Sequence, residues 1–273
     1  MAKKISTGFI TDTVNGIKIN TSMKSHSSNY DVYSSRTVAN VIIHYTGNKK
    51  DTAYANANYF KGANRNASAH FFVDNDNIYQ AIALKNVAWH CGGYHYYHPT
   101  ARNSNSIGIE MCCTAGNYKV SAKTIKNTAY LTANLCKRLG IKSSEVDKHV
   151  LRHYDITHKT CPAQMVDNSP TEDKDWVAFK DQVKKILKTS EASKTTKPTN
   201  KTVNYVVQVT VNSLNIRKGP GTEYKILDQI KNKGSYTIVK ETKVGSNTWG
   251  LLKKGPVTGS SWICLTGYTK KVK

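Results

Sequence analysis

Along the first 188 residues, short apolar runs alternate with longer segments whose apolar positions recur every three to four residues. Runs near 40–44, 69–73, 78–82, 106–112 and 149–152 have the length and apolar density of strands. Segments 52–61, 121–139 and 176–187 carry the helical period. The alternation predicts an α/β unit, a mixed central sheet flanked by helices. The first 35 residues, Ser-rich from 21 to 35, read as a poorly constrained approach to the first core strand, adding a strand or a groove wall.

The pattern then breaks. Residues 189–202 have almost nothing to bury and read as a solvated linker. From residue 203 the period falls to two. Tyr205-Val206-Val207-Gln208-Val209 alternates, Leu214-Asn215-Ile216-Arg217 follows, and Gly219-Pro220-Gly221 marks a turn. Tyr236-Thr237-Ile238-Val239 and Trp262-Ile263-Cys264-Leu265 supply later strands, so 203–273 is expected to be a small all-β domain. A chain of 273 residues is long enough for both units.

Chemistry enters at the ends of two of these runs. His44 closes Asn40-Val41-Ile42-Ile43-His44, and His153-Tyr154-Asp155-Ile156-Thr157-His158-Lys159-Thr160-Cys161-Pro162 follows the last strand of the first unit. Two imidazoles and a thiolate make an open zinc site, with a fourth position for water; structural zinc normally has four protein ligands. Such a metal acidifies water and polarises a carbonyl. His153 and Cys161 are too far apart for a one-turn helical pair, so a strand end and a following loop would have to bring them together. On spacing alone, ordinary surface histidines fit as well. Ser106-Ile107-Gly108-Ile109-Glu110-Met111 adds a carboxylate inside an apolar strand, costly to bury without a partner.

These motifs, with Ser68-Ala69-His70-Phe71-Phe72-Val73-Asp74, Ile78-Tyr79-Gln80 and Trp89-His90, resemble the type 2 N-acetylmuramoyl-L-alanine amidases over about 35–188. That family shares its fold with the peptidoglycan recognition proteins. The resemblance implies a zinc amidase fold, with Zn2+ held by His44, His153 and Cys161, Glu110 as general base and Lys159 as oxyanion stabiliser. It also implies hydrolysis of the amide between the lactyl group of muramic acid and L-alanine, with His70, Trp89 and His90 touching substrate. Some branches place a Tyr before the second-strand His; here that position is Ala69, which puts more weight on Glu110. Glu110 could instead be a strand carboxylate paired with a cation, and Lys159 one of many solvated lysines. In Trp89-His90-Cys91-Gly92-Gly93-Tyr94-His95-Tyr96-Tyr97-His98-Pro99 the aromatic faces suit sugars and peptide stems; His95 and His98 read equally well as plain loop residues.

Leu214 through Tyr224, with Trp249 and Trp262-Ile263 behind, resembles the bacterial SH3 domain of cell-wall hydrolases, a small SH3-like barrel. The resemblance implies wall binding, with Tyr224, Trp249 and Trp262 as candidate contacts. The layout is then a catalytic domain over 1–188, a linker over 189–202 and a wall-binding domain over 203–273.

Lys and Arg number 40 against 18 Asp and Glu, a formal charge of +22. The lysines are scattered and no nucleic-acid motif accompanies them, so no specific nucleic acid is expected. The charge suits the teichoic-acid phosphates of a Gram-positive wall, beside peptidoglycan itself. Met1 to Gly8 has a basic start without an apolar h-region, and no stretch is apolar enough for membrane insertion. These features predict no signal peptide, synthesis in a host cytoplasm and holin-type release to the wall, as for a phage or prophage endolysin. Apart from Cys161, Cys91, Cys112, Cys113, Cys136 and Cys264 form no CxxC pair and are expected to stay thiols. A zinc peptidase cutting within the stem peptide and a noncatalytic peptidoglycan-binding protein remain as alternatives.

Overall fold

Each apolar run of the first unit leaves backbone donors and acceptors that only a neighbouring strand can satisfy once it is buried. A computed structural model describes residues 2–166, 173–195, 201–222 and 224–272. Its first-unit strands are β1 (Lys3–Ile5), β2 (Thr13–Val14), β3 (Ile17–Asn20), β4 (Tyr30–Asp31), β5 (Arg36–Val38), β6 (Asn40–Tyr45), β7 (Phe71–Val73), β8 (Ile78–Gln80), β9 (Val87–Ala88), β10 (Ser106–Met111) and β11 (Val150–Arg152). One sheet has the order β11-β6-β10-β7-β8-β3-β2. From β11 to β7 the strands are parallel, β8 is antiparallel to β7, β3 is parallel to β8 and β2 is antiparallel to β3. The sheet is mixed, as the alternating pattern predicts.

The helices are α1 (Ala53–Tyr59), α2 (Ala122–Leu139), α3 (Val146–His149), α4 (His153–Thr157) and α5 (Lys174–Thr195). Thr52 caps α1 by accepting from the Ala55 N–H, and Ser121 caps α2 by accepting from Thr124. Gly140, at φ 78°, ends α2 in the left-handed conformation that glycine adopts without strain.

Strand parity decides which residues meet the site, because successive side chains point to opposite faces. Val41, Ile43, Ile107, Ile109 and Met111 pack into the main core with Leu131, Leu135, Phe179 and Val183 of α2 and α5. Alternate residues fall on the other face: Ile42 and His44 from β6, and Ser106, Gly108 and Glu110 from β10. Phe72 joins that face and packs with Ala53 and Ala57 of α1.

Two expectations need correction. Residues 1–35 do add strands, as expected, but are not a loose approach: β1 pairs with β5, β2 and β3 extend the sheet, and Ile5, Ile10, Val14 and Ile19 are buried in the main core. The helix expected over 176–187 runs to Thr195, so the first part of the predicted linker is helical. That stretch is polar but has no Gly or Pro before Pro198, and polarity alone does not stop a helix. Lys201 and Thr202 already belong to a strand, and residues 196–200 of the predicted linker lie outside the described residues.

The chain divides into two units, Met1–Lys188 and Thr189–Lys273. The second holds β12 (Lys201–Val209), β13 (Leu214–Arg217), β14 (Ile226–Ile230), β15 (Ser235–Val244), β16 (Asn247–Leu252), β17 (Trp262–Cys264) and β18 (Thr269–Lys271). Their order is β14-β13-β17-β16-β15-β12-β18, antiparallel throughout. One cluster joins Val207, Val209, Leu214, Ile216, Ile238 and Ile263; a second joins Trp249, Leu251, Trp262 and Cys264. Among the described residues, no helix is long and apolar enough to cross a membrane. All six cysteines are free and buried. Cys113 enters the main core while Cys112 packs in the cluster beneath α1.

Candidate metal centre

Three strand ends converge at one edge of the parallel part of the sheet, where open α/β folds commonly bind ligands. His44 lies near the end of β6, and Glu110 of β10 is its direct register partner. Arg152 of β11 pairs with Ile43, so the next residue, His153, comes level with His44. Their rings lie edge-to-face with centroids 5.0 Å apart. Between His153 and Cys161 the chain makes the single turn α4 and reverses at His158, whose φ is 58°. The Tyr154 N–H then donates to the Cys161 carbonyl at 3.0 Å, fixing the cysteine beside the strand end. A short helix and a turn therefore do what the sequence assigned to a strand end and loop. Arg152 anchors the segment by donating to Asp155, to the Met165 carbonyl and to Asp173.

His44, His153 and Cys161 are buried, and one ligand atom from each lies within 4.8 Å of the others; among the described residues no fourth His, Cys or carboxylate joins this set. Cys161 Sγ stands 3.8 Å from His44 Nδ1. A tetrahedral zinc with bonds of about 2.1 Å to nitrogen and 2.3 Å to sulfur implies an edge of about 3.6 Å, so this pair fits the ion. His153 Nε2 lies 3.3 Å from the Gly92 carbonyl, which can only accept; Nε2 therefore carries the proton and Nδ1 is left to coordinate. Burial, reinforced by the Lys159 charge, lowers His153 to about 4. Burial, then the neighbouring His90, His153 and Lys159 charges, holds His44 well below its usual range. Both imidazoles are thus neutral and ready to ligate at neutral pH. The Cys161 thiol is pushed up to about 12, first by burial and then by Glu110. It would become a thiolate at neutral pH only against a cation, so binding of a metal here would release a proton.

Beside this set lies a groove of about 610 Å3, lined among others by Thr46, Asp51, Phe60, Ala69, Trp89, His90, Glu110 and Lys159. Phe60 and Phe72 stack in it at 5.3 Å. Glu110 Oε2 is buried and has no hydrogen-bond partner. Burial raises the Glu110 carboxyl to about 7, against the downward pull of Lys159 and with a further push from Asp51. Lys159 is solvent-exposed at the rim.

Some residues expected at the substrate are elsewhere. His70 is fully buried and does not line this groove: its Nδ1 accepts from the Gly108 N–H, and its Nε2 faces the Arg36 guanidinium and the Asn86 carbonyl. It ties strands together. Trp262 is 7 % exposed and packs in the second unit's core, so it is not a ligand contact. Trp249 is 3 % exposed and lines a cavity of about 300 Å3 together with Arg217, Asn247 and Tyr268. The exposed Tyr224 does not line that cavity, and Glu223 of the same motif lies outside the described residues. Trp89 lies half-buried in the groove wall. His90 also lines the groove, but its nitrogens are taken: Nδ1 lies 3.0 Å from His44 Nε2, and Nε2 lies 3.2 Å from Ser106 Oγ. Arg36 escaped the sequence reading, and Ser106 figures there only as the start of the Glu110 strand, since neither side chain is itself a reactive type. His98 is a loop fastener, its Nδ1 accepting from Thr100 and Ala101. In the aromatic loop, Tyr97 stacks on His158 at 3.6 Å and Tyr94 is fully exposed.

A mixed sheet with a convergent His–His–Cys set and an unpartnered carboxyl at one strand edge is the arrangement that a hydrolytic metal site would need. Comparison with known proteins finds the following similarities. Residues 34–164 match the family described as N-acetylmuramoyl-L-alanine amidase. The N-acetylmuramoyl-L-alanine amidase BlyA of Bacillus subtilis (strain 168) is 33 % identical over 231 residues, covering 77 % of this chain and 61 % of BlyA. The N-acetylmuramoyl-L-alanine amidase CwlL of Bacillus licheniformis is 32 % identical over 172 residues, covering 59 % of this chain and 45 % of CwlL. The chain therefore spans about half the length of these curated relatives. The solved catalytic domain of XlyA superposes with a TM-score of 0.50 at 28 % identity, covering 61 % of this chain and 99 % of that domain.

Proposed function

We propose that this protein is a zinc-dependent N-acetylmuramoyl-L-alanine amidase of the endolysin kind, cutting the amide between the muramic acid lactyl group and L-alanine in Gram-positive peptidoglycan. The observation that carries this reading is the buried, unpartnered Glu110 oxygen, which lines the groove and stands in register with His44, one of three convergent neutral donors. The names and matched segment of the relatives support the choice of bond.

His44, His153 and Cys161 would hold the ion. When bound, zinc supplies Lewis acidity toward water and toward the carbonyl under attack. Glu110, whose raised pKa suits both halves of the proton cycle, takes the proton of the attacking water. Lys159 at the groove rim faces the developing oxyanion and stabilises charge that is absent from the ground state. The tetrahedral carbon then expels the alanine nitrogen, which receives the proton from Glu110. The products are a lactyl carboxylate and a free amine, and one water is consumed. Trp89, Phe60 and Phe72 give the groove the apolar walls that an extended muramyl peptide needs.

The second unit would be an SH3-type wall-binding module, with Tyr224 and the cavity beside Trp249 as candidate contacts. The surplus of Lys and Arg favours retention on a phosphate-rich wall. Digestion of purified walls tests the reading: N-terminal alanine should appear without new reducing sugars, and a chelator should stop its release. A different new N-terminus would mean a stem-peptide hydrolase, and no release would leave binding alone. A chain cut after Thr195 should make the same ends while pelleting less with walls.

A further inference from the structure

We propose that His90 and Ser106 form a positioning relay that sets the His44 ring with Nδ1 toward the metal. The relay rests on the zinc reading but concerns residues that touch neither ion nor reacting bond.

Its members form one chain of contacts. His44 presents Nδ1 to Cys161 at 3.8 Å and Nε2 to His90 Nδ1 at 3.0 Å. A ring that ligates through Nδ1 carries its proton on Nε2, so His44 donates and His90 Nδ1 accepts. The His90 proton then sits on Nε2 and points to Ser106 Oγ at 3.2 Å. The Ser106 hydroxyl donates a hydrogen bond to the Arg102 carbonyl at 2.7 Å, and a carbonyl can only accept. Every link has one direction, and the backbone at Arg102 fixes it. Metal-bound histidines usually end such a chain at once, on a carbonyl or carboxylate, and His153 does so on Gly92.

The sheet is shaped to hold the intermediate ring. A Cβ at Gly108 would lie 2.5 Å from His90 Cγ, so the missing side chain on β10 is the space His90 occupies. His70 receives the Gly108 N–H at 3.1 Å and steadies that same strand segment. His90 is 8 % exposed and Ser106 is fully buried, so water does not readily substitute for either. Disturbing the chain at Ser106 frees His90 to take the opposite tautomer, which would set two N–H groups against each other at His44 and turn its ring from the metal.

Two measurements on the full chain test this. Long-range 1H–15N spectra of the zinc-loaded, isotope-labelled protein should show His44 and His90 both protonated on Nε2. Competition with a chromophoric chelator should show His90→Phe and Ser106→Ala binding zinc about 10–100-fold more weakly than the parent. His90→Gln, which returns an acceptor, should recover part of the His90→Phe loss. A His90 proton on Nδ1 would overturn the relay, as would parental zinc affinity in both His90→Phe and Ser106→Ala. Should His90→Phe not fold, Ser106→Ala and the parent spectrum decide. A parent that takes up no zinc would instead bring down the metal site itself, a result distinct from zinc bound with unchanged affinity in the variants.

Discussion

Glu110 shows most sharply how one residue is tuned by its place. It shares a sheet face and a register level with His44, yet its buried oxygen meets no donor. Burial therefore wins over Lys159, and the carboxyl rises to about 7. As a base it works only when ionised, so kcat/KM should fall as pH drops through its pKa. A nearby divalent ion pulls that pKa down, so the acid limb of the parent profile is expected at or below about pH 7. Glu110→Gln should retain zinc, lose about 10²–10⁴-fold in kcat and lose that limb, as stopped-time release of N-terminal alanine can measure. A near-parental kcat would remove Glu110 from the chemistry. The reactive residue types were legible in the sequence because they sit in compact motifs. The division of labour among the histidines was not: His70 looks like a site residue on its strand, but its Arg36 partner lies 34 positions earlier and no spacing points to it.

At the scale of elements, strands β6, β10 and β11 and helix α2 were visible because a buried strand or an amphipathic helix must concentrate apolar residues in a fixed period. Strands β14 and β18 escaped because Ile226–Ile230 is half polar and Thr269–Lys271 has no apolar residue. Pairing, not composition, makes them strands. The close approach of two elements was equally hidden: Gly108 reads as an ordinary strand glycine, while in the fold it is the slot for His90. Gly108→Ala should therefore displace the His90 ring and cost about 1–3 kcal/mol through overpacking, with zinc affinity falling alongside. Denaturant unfolding of the metal-free protein and chelator competition would measure the two effects. A neutral Gly108→Ala would show that the slot is slack.

Across the whole molecule, burial of neutral imidazoles couples stability to acid. His44, His70, His90 and His153 all titrate below their usual range, His153 at about 4 and His90 at about 3, chiefly through burial. Unfolded histidines bind protons near pH 6.5 while the folded ones do not, so the unfolded state takes up more protons and stability falls as pH drops below about 6.5. Glu110 acts oppositely between about 4.5 and 7, but as one group against four. Urea midpoints of the metal-free protein should thus be lower at pH 5 than at pH 7.5. Equal midpoints would mean that these rings are solvated after all. Two units were foreseeable from the change of period near residue 203, whereas the helical course of 189–195 was not, since a polar stretch of moderate helix formers carries no boundary signal.

The central claim is that two imidazoles and one thiolate from distant parts of the chain hold a single zinc with a position left open. X-ray absorption at the zinc edge of the loaded protein tests it most directly. The account predicts one sulfur near about 2.3 Å and three lighter nitrogen or oxygen neighbours near about 2.0–2.1 Å, with the sulfur lost in Cys161→Ala. A first shell without sulfur, or with two sulfurs, would contradict it.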